Sequence, residues 1–365
     1  MRIQTLFIIL LFAGSLSSAR PQTTANAGSE LLAVSRCTVE QGQRLLDEGR
    51  YEHAFREFTC VIEAQPTDVE GYRGRIEAQL LLGRYSDALR DYTRVTAFVL
   101  PVHLDAEKTI LAGYADRLAV NPQSITALTG ASFAQWYFFD YGQAIHLLNQ
   151  LLDIRPNDVY GNLFRGSSRL LKRGVTAGRG VADLERALAL APQSPDVHFI
   201  VADAYTYGLP DPERALAEAT FALNGGLDTP RVHAILASAY VAFGDLEAAG
   251  VHIQRHIELV TTELVAAPSL APDSSLTLDL VPGRTYEIPV NVTAGETLSI
   301  ATSSHDYWDT ILVLLAPDGS PVLGSDDANA YMAAFDWTAE ATGTYRLQVT
   351  FFESVITGEL VVTRD

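Results

Sequence analysis

EQGQRLLDEGRYEHAFREFTCVIEAQP, Glu40 to Pro66, reads as two short helices joined by a turn. Gly42 and Leu45 share one face of the first helix. Ala54, Phe58 and Val61 recur at helical spacing on the second. EGRYEHA turns the chain, and Pro66, which has no N–H to donate, ends the second helix. The same order returns in LLLGRYSDALRDYTRV, Leu80 to Val95, through Gly83, Tyr85, Ala88, Tyr92 and Val95. It returns again in WYFFDYGQAIHLLNQLLDIRP through Tyr141, Ala144, Leu148, Leu151 and Pro156, and in VADLERALALAP through Leu184, Ala187 and Pro192. Weaker copies pass through Ala215 and Ala249. Pro122 to Pro156 is a step of 34 residues and Pro156 to Pro192 one of 36. A helix pair of that length exposes an apolar face that only its neighbour can bury, so the copies stack.

In its small residues at helix contacts, its aromatic or Leu in the second helix and its terminal Pro, the stretch Cys37 to Val260 resembles the tetratricopeptide repeat family, with five or six units. The irregular helix at Val102 to Ala119 and the glycine-bearing GVTAGRG, Gly174 to Gly180, interrupt the period. The resemblance implies a curved solenoid whose first helices line a concave groove. Placed in that register, Glu70, Arg73, Glu77, Phe133, Trp136, Tyr137 and Tyr160 are the candidates for a protein- or peptide-binding groove. Aromatic residues and Arg are the types that anchor interfaces. The cluster FAQWYFFDY fits inter-repeat core equally well, and both readings stay open at this stage. The Lys, Asn and Arg set with which some members of the family clamp a C-terminal carboxylate is missing from these positions.

After Glu263 the helical period stops. LVAAPSLAPDSS reads as a linker, placed at 263–276, and alternation begins beyond it in SLTLDL, TYEIPVNV, ETLSIAT, YRLQVTFF and GELVVT. DTILVLLA is a nearly continuous apolar run, as a buried central strand requires. Gly-bearing turns separate the runs, and about eight short strands in this length predict a β-sandwich. The ordered series Ala294-Gly295-Glu296, Asp309-Thr310, Pro317-Asp318-Gly319, Asp326-Asp327 and Gly343-Thr344-Tyr345 resembles the bacterial pre-peptidase C-terminal domain. That resemblance implies a non-catalytic, jelly-roll-like sandwich over 277–364, of a kind found in secreted proteins that act at surfaces or on polymers. The expected fold is therefore multidomain, α then all-β: a tetratricopeptide-like α–α solenoid over 37–262, then a jelly-roll-like β-sandwich.

The formal charge is −18, and only two of the 26 basic residues are Lys. From Leu270 onward there are fourteen acidic residues against three Arg. Nucleic acid and anionic lipid, which need a basic surface, are excluded as partners on this ground. The start, MRIQTLFIILLFAGSLSSA, has the charge, apolar run and small residues of a signal peptide, 1–19, cleaved after Ala19. Its alternative is an uncleaved anchor; the apolar run is shorter than the roughly 20 residues of a membrane span. Residues 20–36 then form a linker, and the mature chain is expected outside the cytoplasm, secreted, periplasmic or on the cell surface. Cys37 and Cys60 are the two cysteines, equidistant from the turn of the first hairpin, so antiparallel helices place them opposite each other. In an oxidising compartment a disulfide follows.

Catalytic motifs are missing: the sequence has no G-x-S-x-G, no phosphate-binding loop and no H-E-x-x-H. The expectation is no enzyme. His252 and His256 share a helix face but lack the further ligands that zinc needs. Asp318-Gly319 after Pro317 is turn chemistry. Asp326, Asp327 and Asn329 offer oxygen ligands without the spacing of an EF-hand loop, so calcium is the one cofactor the residues allow, with solvated loop caps as the alternative. Asn291-Val292-Thr293 matches a glycosylation sequon. The functional expectation is an exported scaffold whose repeats bind a protein or peptide and whose acidic sandwich addresses a surface, polymer or envelope partner. The alternatives are a carbohydrate- or calcium-dependent binding module with the repeats as spacer, and a cryptic hydrolase.

Overall fold

A computed structural model describes residues 37–66, 68–92, 94, 104–172, 177–281, 283–304, 309–326, 332–351 and 358–364. The leader, residues 20–36, Asp327 and Asn329 lie outside them. Thirteen α-helices are described: α1 (Val39–Asp47), α2 (Tyr51–Ala64), α3 (Val69–Leu82), α4 (Tyr85–Tyr92), α5 (Leu104–Val120), α6 (Ile125–Tyr137), α7 (Tyr141–Ile154), α8 (Val159–Leu171), α9 (Ala177–Leu190), α10 (Pro195–Asp203), α11 (Pro212–Asn224), α12 (Pro230–Phe243) and α13 (Leu246–Val260). A π-helical turn, Ala204–Gly208, extends α10.

A short signal starts each pair. Two residues after the Pro that closes one pair comes the N-cap of the next. Asp68 accepts from Gly71 N–H at 2.6 Å, Ser124 from Ala127 N–H at 3.4 Å and Asp158 from Gly161 N–H at 2.8 Å. Each satisfies an amide that the helix start would otherwise leave unpaired. Between pairs, an aromatic ring enters a glycine notch. Phe58 lies against both Gly42 and Gly74, and a Cβ at Gly74 would stand 2.2 Å from its ring. Across two of the pairs, α3–α4 and α8–α9, runs the same polar clasp. Arg75 forks onto Asp91 at 2.7 Å on both oxygens and reaches Thr59, and Arg165 forks onto Asp183 at 2.9 and 2.7 Å and reaches Asn149.

The irregular stretch after Val102 is α5. It packs between α3 and α6. Tyr114 fills the notch at Gly130 and donates to Leu80 O at 2.6 Å, while Arg117 donates to Leu81 O at 2.9 Å. Cys37 and Cys60 form a disulfide with their Cα atoms 5.8 Å apart, which ties α1 to α2. Phe58 and Leu45 belong to a small cluster there, apart from the long core that runs from Ile62 to Leu236.

The C-terminal part is a sandwich of nine described strands: β1 (Glu263–Ala266), β2 (Ser274–Leu280), β3 (Arg284–Val292), β4 (Thr297–Ser304), β5 (Thr310–Leu315), β6 (Pro321–Asp326), β7 (Ala334–Thr338), β8 (Gly343–Phe351) and β9 (Gly358–Arg364). One sheet has the order β1-β3-β8-β5-β6 and the other β2-β9-β4-β7. Leu312, Leu314, Ile288 and Leu347 from the first sheet meet Leu298, Ile300, Leu360 and Val362 from the second. The stretch read as a linker is part of this domain, which corrects that boundary. Glu263 to Ala266 pairs with Arg284 to Glu287 in parallel, Leu270 is buried in the sandwich core, and β2 begins at Ser274. Pro268 and Pro272 made it look unstructured, whereas its partner strand lies about twenty residues on.

The repeats and the sandwich meet through two neighbouring strands, β5 and β6. Every residue of β5 is buried. Leu312 and Leu314 face the sandwich core, while Ile311, Val313 and Leu315 pack against Ala234, Ala237, Ile253 and Ile257 of α12 and α13. Beside them Gly250 of α13 lies against Gly324 of β6, so closely that a Cβ at Gly250 would stand 2.7 Å from the carbonyl carbon of Leu323. This double burial is why the run DTILVLL shows no alternation. The Pro-Asp-Gly turn joins β5 to β6 as expected: Gly319 has φ +93°, and Asp318 accepts from the amide and hydroxyl of Ser320 at 3.0 and 2.7 Å. Asp326, expected in the following loop, is instead the buried last residue of β6, opposite Ile311.

Gly250→Val tests the junction. Overpacking against two rigid backbones costs on the order of 1–3 kcal/mol, so scanning calorimetry should show a lower transition that splits into separate repeat and sandwich events. A single transition at the wild-type temperature would mean that the two glycines are not in contact.

Candidate functional site

Most of the residues read as groove candidates are buried. Arg73, Glu77, Phe133, Trp136 and Tyr137 are each at most 4% exposed; Glu70 and Tyr160 are half-buried. The expectation of an open groove along these residues is corrected accordingly: Phe133, Trp136 and Tyr137 are inter-helix core. Helical register states which face a residue takes. It does not state whether another part of the chain covers that face.

The cover is α3 and α4, folded against α6 and α12. Tyr92 at the end of α4 meets Trp136 edge-on at 5.0 Å and Tyr137 at 6.0 Å. On another side, the Arg231 guanidinium of α12 stands 5.3 Å from the Tyr92 ring and 5.6 Å from that of Tyr207. Phe133 stacks on Trp136 at 5.7 Å and meets Phe164 of α8 at 5.1 Å, which in turn stacks on Tyr160 at 6.2 Å. The Trp136 indole N–H donates to Ser167 Oγ at 3.0 Å. These rings form a continuous aromatic seam from α4 to α8.

Charges are buried in the same seam. Arg231 Nε donates to Asp203 Oδ1 at 2.8 Å, and the two side chains are 3% and 1% exposed. Burial pushes the Asp203 carboxyl up, and the guanidinium pulls it back. The π-helical turn that follows Asp203 carries Tyr207, whose hydroxyl is raised by burial; Asp309 and Asp326 of the sandwich are close enough to add to that rise. At the α3 end, Arg73 pairs with Glu70. Glu77 sits behind them, with its carboxyl pushed up to about 8, chiefly by burial. Glu77 Oε2, Arg73 Nε and Tyr137 Oη have no hydrogen-bond partner among the described residues, and each such buried atom costs on the order of 1–3 kcal/mol. Asp196 at the start of α10 is raised by burial and lowered by Arg90 and Arg94.

Sequence reasoning missed Tyr92, Asp203, Tyr207 and Arg231 as members of this face. The signal was present in HFIVADAY and TPRVHAIL, where a single charge interrupts an apolar run. The His252 and His256 pair does not form. His256 is buried and donates to Pro230 O at 2.9 Å. His252 Nδ1 faces His233 Nδ1 at 2.9 Å, and His233 Nε2 faces Asp228 at 2.8 Å. Burial and the neighbouring His233 lower His252 to about 4. Among the described residues no group of three or more His, Cys, Asp or Glu converges as a metal would require.

No family model and no curated protein matches the chain. Solved structures similar to parts of it include tetratricopeptide repeat proteins and a pre-peptidase C-terminal domain. The tetratricopeptide protein TTC0263 of Thermus thermophilus is 20% identical, with 56% of this chain and 97% of that one covered at a TM-score of 0.34. PilF of Pseudomonas aeruginosa is 15% identical over 60% and 89%, TM-score 0.35. The pre-peptidase C-terminal domain of a Bacillus anthracis collagenase is 15% identical over 28% and 94%, TM-score 0.24.

Glu77 makes stability depend on pH. Its folded value near 8 exceeds the unfolded 4.5, so the folded chain holds a proton that the unfolded chain releases between these limits. Stability is full below the lower value and falls as pH rises toward 8, by at most about 1.4 kcal/mol per pH unit. Urea titrations at pH 5.5 and 8 should show this loss in the wild type and a much smaller one in Glu77→Gln.

Proposed function

We propose that this chain is an exported, non-catalytic scaffold: the repeats bind a protein or peptide, and the acidic sandwich addresses a surface, polymer or envelope partner. The observation that carries the reading is the unequal treatment of the two sheets. The outer face of β5 and β6 is spent on the mount against α12 and α13. The outer face of the β2-β9-β4-β7 sheet carries the exposed Ser275, Thr277, Asp279, Glu359, Ser303 and Asp336 beside the half-buried Ser299, Ala301, Ala334, Val361 and Thr363. A sheet held rigidly on a repeat stack, with a polar and acidic face outward, is suited to presenting one partner relative to another. The disulfide supports an oxidising, extracytoplasmic location. No described helix is long and apolar enough to cross a membrane. The glycan-binding alternative has less support on this face, because these outward positions offer no ring on which a sugar could stack.

The test replaces Asp279, Asp336 and Glu359 with Lys in the full chain and measures sedimentation with isolated cell envelopes. The expected outcome is at least a tenfold loss of binding, with wild-type binding weakened by salt. Unchanged sedimentation of the variant would remove this face as the addressing surface.

A second reading keeps calcium. The residues are Asp326, Asp327 and Asn329, the last two outside the described residues; Asp326 ends β6 opposite Ile311, two residues after Asp309. Calcium would then brace the junction. A higher melting temperature with calcium than with chelator supports it; equal temperatures dismiss it.

A further inference from the structure

We propose that α4 is a ligand held in cis: it closes the inner face of α6–α12, and an external helix bearing an aromatic residue flanked by arginines competes with it for that face. The inference rests on the reading of the repeats as a binding domain and names what that domain takes. Three observations carry it.

The stack does not need α4 to continue. Tyr114 of α5 fills the glycine notch of α6 at Gly130 as Phe58 of α2 fills that of α3 at Gly74. Removal of α4 leaves this continuity in place. Its own polar clasp, Arg75 to Asp91, ties it to α3 alone.

The contact of α4 with the later helices carries the residue types of a binding interface. Some joints between successive pairs are apolar side chains on glycine, as with Phe58 on Gly74 and Leu152 on Gly161, while α6 meets α8 through Phe133, Trp136 and Phe164. Here Tyr92 is held by Trp136, Tyr137 and Arg231. These are the residue types in which binding hot spots are enriched.

The charges are of opposite sign: Arg90 and Arg94 lower the Asp196 carboxyl that burial raises, and on the α3 side of the seam Glu77, Arg73 and Tyr137 bury polar atoms without hydrogen-bond partners among the described residues. The closure is therefore incompletely satisfied where α3 meets α6, which lowers the cost of opening it.

The probe is a labelled peptide with the sequence of Arg84 to Arg94, added to the full-length protein and to its Tyr92→Ala variant, with circular dichroism to confirm that the variant is folded. The peptide should bind the variant at least tenfold more tightly than the wild type, and a peptide carrying the same Tyr-to-Ala change should bind neither. Equal binding to both proteins, or none to the folded variant, overturns the proposal. Hydrogen exchange on the wild type decides the matter should the variant unfold. Amides of α4 should exchange faster than those of α5 and α6, and exchange at one common rate would overturn cis closure. These outcomes do not depend on envelope binding by the sandwich, so either reading can fail without the other.

Discussion

Burial of β5 on both faces is the constraint on which the molecule depends. A strand in a sandwich ordinarily offers one face to its core and the other to water. Here Leu312 and Leu314 serve the sandwich, while Ile311, Val313 and Leu315 serve the last helix pair. Gly250 and Gly324 bring the two backbones close enough for these side chains to interlock. Without that contact the repeats and the sandwich would be two bodies on a tether. With it, Ile311, Val313 and Leu315 of the sandwich share a core with α12 and α13.

The aromatic seam shows how a repeat array can be closed by its own helices. Tyr92 of α4 meets Trp136 and Tyr137 of α6 and Arg231 of α12. Residues that face outward into a groove in a regular array, Arg73, Glu77, Trp136 and Tyr137, become a buried seam with Tyr92 and the Asp203–Arg231 pair inside it. Such a pair contributes little net stability against its desolvation, yet breaking it by removing one partner is costly. It therefore specifies how α12 meets Tyr92 more than it strengthens the fold.

Much of the fold was legible in the sequence because its signals are local. Pro66, Pro122, Pro156 and Pro192 mark the ends of pairs. Asp68, Ser124 and Asp158 cap the next ones. Alternation marks β2, β3, β4, β8 and β9. The strands that escaped, β1, β6 and β7, are short, or carry Pro and Gly, and are recognisable only by a partner elsewhere in the chain. The disulfide was legible because hairpin geometry is also local.

The sequence by itself determined the two modules, their order and the Cys37–Cys60 pairing, because period and turn chemistry act over a few residues. Tertiary structure alone decided that Arg73, Glu77, Phe133, Trp136 and Tyr137 are buried, that 263–276 joins the sandwich, and that Asp326 is a buried strand residue. Each of these depends on contact between segments tens to hundreds of residues apart, as Tyr92 with Arg231 and Gly250 with Gly324 demonstrate. No short-range pattern encodes the close approach of such distant groups.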